Sequence, residues 1–92
     1  MKNNKPYVVA LGICKNEEKN LARWHENVRK IADEVCLLDT GSTDTTVYLA
    51  EKIGINVEHF WFFEGSFSFS TARNEALRLI PDNADWVIFT LS

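Results

Sequence analysis

Asp39 stands at the end of an apolar run, Glu34-Val35-Cys36-Leu37-Leu38, and opens a polar stretch, Thr40-Gly41-Ser42-Thr43-Asp44-Thr45. A carboxylate there can accept hydrogen bonds from a base or a ribose. It can equally close its own turn on the amides of Gly41 and Ser42. Gly41 permits a tight turn or the close approach of a ligand. Ser42 and Asp44 can cap a following helix, and the exposed amides there favour an anion. Cys14-Lys15-Asn16-Glu17 follows a second apolar run in the same way. Lys15 can meet phosphate or simply be solvated, Asn16 can cap a helix, and Glu17 and Glu18 suit the positive end of its dipole. Arg73 falls in what reads as the first turn of a third helix, where the dipole disfavours a cation. An anionic partner such as phosphate would explain it; a solvated arginine near Glu75 or Glu64 is the plainer alternative. His25 and His59 have no ligand-spaced neighbours, so no metal site is read from them. Cys14 and Cys36 match no zinc spacing and read as buried thiols. The chemistry on offer is the binding of a polar, anionic ligand.

Such residues need a scaffold, and the spacing of apolar residues supplies one. Tyr7 to Ile13 is a continuous β-branched run, expected for a strand covered on both faces. Leu21, Trp24, Val28 and Ile31 then recur at helical spacing, predicting a helix over 17–31 capped by Asn16. Residues 34–38 predict a second buried strand. A helix follows over 44–53, with Val47, Ala50 and Ile53 facing one way and Gly54 as its C′ stop. Residues 55–60 predict a short third strand. Ser68 or Ser70 can cap a helix over 70–80, and 86–91 predicts a fourth, buried strand. Alternation of this kind implies an α/β fold with a parallel sheet and right-handed crossovers. The expected strand order is 3-2-1-4, with helices on both faces. Ligands of open parallel sheets bind beyond the carboxyl ends of the strands. The loops at those ends are Cys14–Glu18, Asp39–Thr45 and Trp61–Ser70, where most of the chemically able residues lie.

Length and charge narrow the reading. Ninety-two residues fit one domain, and a net charge of −3 disfavours a general nucleic-acid binder. No apolar run approaches the ~20 residues of a membrane span. The basic start lacks a signal-peptide pattern, so a cytoplasmic location is expected. Six aromatics crowd Phe60–Phe69: Phe60, Trp61, Phe62, Phe63, Phe67 and Phe69. About half read as core. The rest would line an acceptor groove or rest on other protein, and self-association through residues 60–69 or the last strand is expected.

Four blocks carry a resemblance: Ile13-Cys14-Lys15-Asn16-Glu17-Glu18, then Leu37-Leu38-Asp39-Thr40-Gly41-Ser42-Thr43-Asp44-Thr45-Thr46, then Phe67-Ser68-Phe69-Ser70-Thr71-Ala72-Arg73-Asn74, then Asp85-Trp86. In this order they resemble family 2 glycosyltransferases of the GT-A fold. The resemblance implies a nucleotide-sugar ligand, usually a UDP-sugar. Cys14, Lys15, Asn16 and Glu17 would flank the nucleoside, with Glu17 near the ribose. Asp39 would hold the uracil edge beside Gly41 and Ser42, and Arg73 would contact the nucleotide. It also implies Mg²⁺ or Mn²⁺ held by an Asp-x-Asp pair after the fourth strand. Here Leu91 stands where the first of those aspartates belongs, so no metal ligand is assigned. On this reading residues 1–92 are a single partial domain, a truncated nucleotide-binding half that transfers nothing alone.

Two other readings compete. Leu37-Leu38-Asp39-Thr40-Gly41-Ser42 is similar to the catalytic motif of retroviral-type aspartic proteases, in which Asp39 of two subunits would share a proton. Those enzymes are almost all β, however, and three helical periods speak against them. A non-catalytic α/β assembly or regulatory module would explain the missing metal acids.

Overall fold

The computed structural model describes residues 5–62 and 66–91. Seven elements alternate in the expected order. They are β1 (Val8–Cys14), α1 (Leu21–Val28), β2 (Glu34–Asp39), α2 (Thr46–Lys52), β3 (Asn56–His59), α3 (Phe69–Leu77) and β4 (Trp86–Leu91). All pairings are parallel and the sheet order is β3-β2-β1-β4. The α/β class and the 3-2-1-4 order are as the sequence predicts. An aspartic-protease fold, which needs an almost all-β chain, is excluded.

The apolar strands are central because both of their faces are covered. On one face Ala10, Cys14, Val35 and Leu37 pack with Leu21 and Val28 of α1 and Ala50 of α2. On the other, Val9, Leu11, Ile13, Cys36 and Leu38 pack with Ala72 and Ala76 of α3. Alternate residues of one strand thus serve two layers, which is why the runs read as continuous rather than alternating. Gly12 is required by close approach. A Cβ there would meet Trp24 Cζ2 at 2.8 Å, so the indole of α1 lies directly on β1. Trp24 Nε1 then donates to Thr90 Oγ1 of β4 at 2.9 Å, pinning α1 across two strands.

The helices are shorter than their apolar periods suggest. α1 begins at Leu21, after a turn over 18–20, and Asn16 does not cap it. Because α1 stops at Val28, Ile31 leaves the buried stripe and is 61% exposed. α3 starts at Phe69 with Ser68 as its cap, the Ser68 hydroxyl accepting from Thr71 N at 3.3 Å. Arg73 is therefore the fifth residue of α3, just past the first turn and one residue deeper than a helix starting at 70 would place it. β4 is an edge strand, not a buried one, and Trp86 is 65% exposed. An edge position gives it a neighbour on one side only. Among the described residues no helix is long and apolar enough to cross a membrane.

Candidate functional site

Parallel strands deliver their following loops to one edge of the sheet. Cys14 and Asp39 are register partners at the ends of β1 and β2, so the loops they open start side by side. Thr40 fastens them at the base, its amide and its hydroxyl both donating to the Cys14 carbonyl, at 3.0 and 3.1 Å.

Asp39 is fully buried. Its Oδ2 accepts from Gly41 N at 3.2 Å and Ser42 N at 3.0 Å. Its Oδ1 accepts from the Ser42 hydroxyl and, at 3.7 Å, from Cys14 Sγ. The turn-closing role is thus realised, and it fills the roughly four acceptor positions of a carboxylate. Gly41 sits at the tip with φ 121, a conformation that L side chains rarely adopt. Burial, with the Asp39 charge and hydrogen bond adding to it, pushes the Cys14 thiol up to about 12. Cys14 is therefore a neutral donor to Asp39 and not a nucleophile.

Asn16 works across the gap instead of along its own helix. It takes the left-handed conformation, φ 55, which Asn tolerates better than most residues. Its Oδ1 accepts from Thr43 N at 2.7 Å and Asp44 N at 3.3 Å, while its own amide donates to Ser42 Oγ at 2.8 Å. Glu17 N donates to Thr46 Oγ1 at 2.8 Å. Glu18 Oε1 accepts from Thr45 N at 2.9 Å and Thr45 Oγ1 at 2.7 Å, and these bonds hold its carboxyl below the usual range. The N-cap of α2 is Thr45 and makes no side-chain cap bond, so neither Ser42 nor Asp44 caps the helix; Asp44, one residue earlier, accepts from Thr46 N at 2.9 Å. The two loops are latched by side chains from both.

Cys14, Asn16 and Glu17 are thereby brought together with Asp39, Gly41 and Ser42. Lys15 is exposed on the same loop. Arg73 stands apart on α3, its guanidinium 5.6 Å from the Phe89 ring centroid. It does not pair with Glu75, which bonds Arg78 Nη1 at 3.4 Å. Glu64, the other acid proposed for it, and Phe63 lie outside the described residues. Three residues enter the site that the sequence reading gave no role of their own. Trp61 rests on Gly41, Thr46 carries the latch into α2, and His59 Nδ1 lies 3.9 Å from Asp39 Oδ2. The signal for His59 was its place at the end of a strand paired with Asp39.

A divalent cation needs converging hard oxygen donors. Among the described residues no group of three His, Cys, Asp or Glu side chains could hold one. The end of β4 offers Thr90 and Leu91, neither of them a carboxylate. The described residues do not fit such an ion.

An uncharacterized glycosyltransferase of Rickettsia conorii is 46% identical over 50 residues, 54% of this chain and 18% of that protein. One of Rickettsia typhi is 47% identical over 45 residues, 49% of this chain and 15% of that protein. A TPR repeat-containing protein of Synechococcus elongatus is 33% identical over 76 residues, 83% of this chain and again 18% of that protein. The chain thus spans less than a fifth of the length of these relatives. The profile described as Glycosyl transferase family 2 matches residues 12–90, which takes in both latched loops, α3 and most of β4. The chain belongs to glycosyltransferase family 2.

Proposed function

We propose that this chain is the donor-binding portion of a nucleotide-sugar-dependent glycosyltransferase and that its nucleotide is a uridine diphosphate. One observation carries the reading. At the carboxyl edge of a parallel sheet, where such folds take ligands, two loops rich in donors and acceptors are fixed to each other before any ligand arrives. A latch of this kind removes ordering cost from binding.

The roles follow from position. Asp39 selects the base edge, and Ser42 is the donor that yields to it. A hydroxyl rotates freely, and Ser42 Oγ is only half-buried. Glu17 faces the ribose, and Lys15 and Arg73 neutralise phosphate. Transfer of the sugar to an acceptor is the family activity this portion serves.

Titration of the protein with UDP, followed by NMR, tests the reading. Shifts are expected at the amides of Lys15, Glu17, Gly41 and Ser42, larger for UDP than for ADP. Added Mn²⁺ should leave the affinity unchanged, because the described residues do not fit the ion. An unperturbed spectrum at millimolar UDP would show the reading to be wrong.

A further inference from the structure

We infer that Trp61 is the platform on which the nucleobase stacks, an inference that rests on the nucleotide reading above. Side chains alternate after β3. Phe60 and Phe62 turn into the α3-side core, with ring centroids 4.9 Å apart. Trp61, between them, lies instead against the turn that Asp39 closes. A Cβ built on Gly41 would sit 3.1 Å from Trp61 Cε3 and 3.2 Å from Cζ3, so the six-membered ring covers the backbone at the tip. The indole nevertheless remains 63% exposed.

Other exposed rings of this segment have ring partners. Phe67 lies 5.0 Å from Phe62, and Phe69 lies 5.9 Å from Phe89 in an edge contact. Trp61 is the aromatic side chain, among the described residues 60–69, that lies over Gly41. A large exposed π-face beside a carboxylate turn has the two parts a base needs. One is a surface for its plane, the other a hydrogen-bonding turn beside it. Stacking is tolerant of base identity because every base has a π-face. Trp61 therefore supplies affinity, while the turn supplies choice. It also accounts for the lack of a side chain at position 41. Besides the backbone angle, a Cβ there would crowd the indole and push it back by a few tenths of an ångström.

The test compares uridine monophosphate with ribose 5-phosphate, which lacks the base. Calorimetric titrations use the wild-type protein, Trp61→Ala, Trp61→Leu and Trp61→Phe, each checked for fold by its NMR spectrum. Trp61→Ala and Trp61→Leu should weaken uridine monophosphate about tenfold, and Trp61→Phe by no more than about threefold, since a smaller ring still offers the base a face to stack on. Adenosine monophosphate should lose a similar factor, and ribose 5-phosphate none. Equal weakening of both probes would make Trp61 a support for the turn and overturn the platform. So would unchanged uridine monophosphate affinity in Trp61→Ala, although the nucleotide reading would then stand. Failure of the wild-type protein to bind any of these nucleotides would remove both.

Discussion

Between Cys14–Glu18 and Asp39–Thr46 almost every polar side chain reaches across to the neighbouring loop. Between Phe60 and Phe69 rings meet rings instead, and Trp61, Phe67 and Phe69 remain largely exposed. Both regions stand at the same edge of the same sheet. In the first, directional bonds set the geometry and bury the carboxylate that organises them. In the second, non-directional contacts leave faces open and cost little to rearrange. The difference suits two tasks. A hydrogen-bonding edge must be placed before the ligand arrives, whereas a stacking or docking face has only to be available.

The comparison breaks first at Asp39. Replacing it with Ala leaves the amides of Gly41 and Ser42 and the Cys14 thiol without an acceptor in a buried site. A loss of about 3 kcal/mol is expected, because unsatisfied buried donors and lost bonds to a charge each cost on the order of 1–3 kcal/mol. Urea unfolding should show it as a lowered midpoint at unchanged slope. A loss below roughly 0.5 kcal/mol, the range of ordinary surface changes, would mean that the latch does not hold the loops.

Alkali attacks the same point from the other partner. The folded Cys14 thiol titrates at about 12 against an ordinary 9.0. A raised folded value means that the stabilisation is complete below pH 9.0 and is lost as pH rises towards 12. At about pH 10.5 Cys14 alone should already have cost about 2 kcal/mol. Cys36, held up to about 11 by burial first and the Glu34 charge second, adds to the same slope. Thermal unfolding followed from neutral pH to about pH 10.5 should therefore show a falling midpoint, and Cys14→Ala should flatten it. An unchanged slope in that variant would contradict the buried thiol–carboxylate contact.

Asn16 separates conformation from bonding. Asn16→Ala removes the acceptor for Thr43 N and Asp44 N and also forces a Cβ-bearing apolar residue into φ 55. Asn16→Gly removes the acceptor but tolerates the angle. Unfolding free energies should fall by about 1.5 kcal/mol for Ala and about 1 kcal/mol for Gly. Equal losses would leave the backbone angle without a part.

Asn16 also shows what a sequence can and cannot display. An Asn ahead of an apolar period reads as a helix cap, and nothing local distinguishes that from an acceptor for a loop 27 residues away. Asp39 was legible in kind, as a turn closer on Gly41 and Ser42, because the bonds it makes are local. The β-α alternation and strand order were legible because buried strands and Gly or Ser punctuation are properties of short segments. The exposure of Ile31 and of β4 was not, since apolar residues at the right spacing do not say where a helix stops or how much of an edge strand is covered. Trp61 was counted among six aromatics without a role of its own. Only the tertiary contact with Gly41 separates it from the phenylalanines.

The smallest expected effect on stability belongs to Arg73, and it sharpens the contrast most. Its recorded contact is the Phe89 ring, 5.6 Å from the guanidinium carbon, and the side chain is exposed. An exposed cation–π contact is worth roughly 0.5–1 kcal/mol, so Arg73→Ala should cost about 0.5 kcal/mol and Arg73→Lys less. A residue with so little structural work to do is free to meet a ligand. Arg73→Ala should weaken UDP and ADP by the same factor, because a cation neutralises phosphate and does not read the base. Loss of one charge-assisted hydrogen bond, about 1.5–3 kcal/mol, would be some ten- to hundredfold in affinity. Arg73→Lys should recover part of that loss, since the charge remains while the planar fork is gone. Were Arg73→Ala to unfold the protein yet spare nucleotide binding in what remained folded, α3 would belong to the scaffold alone. The ligand would then be held entirely by the latched loops.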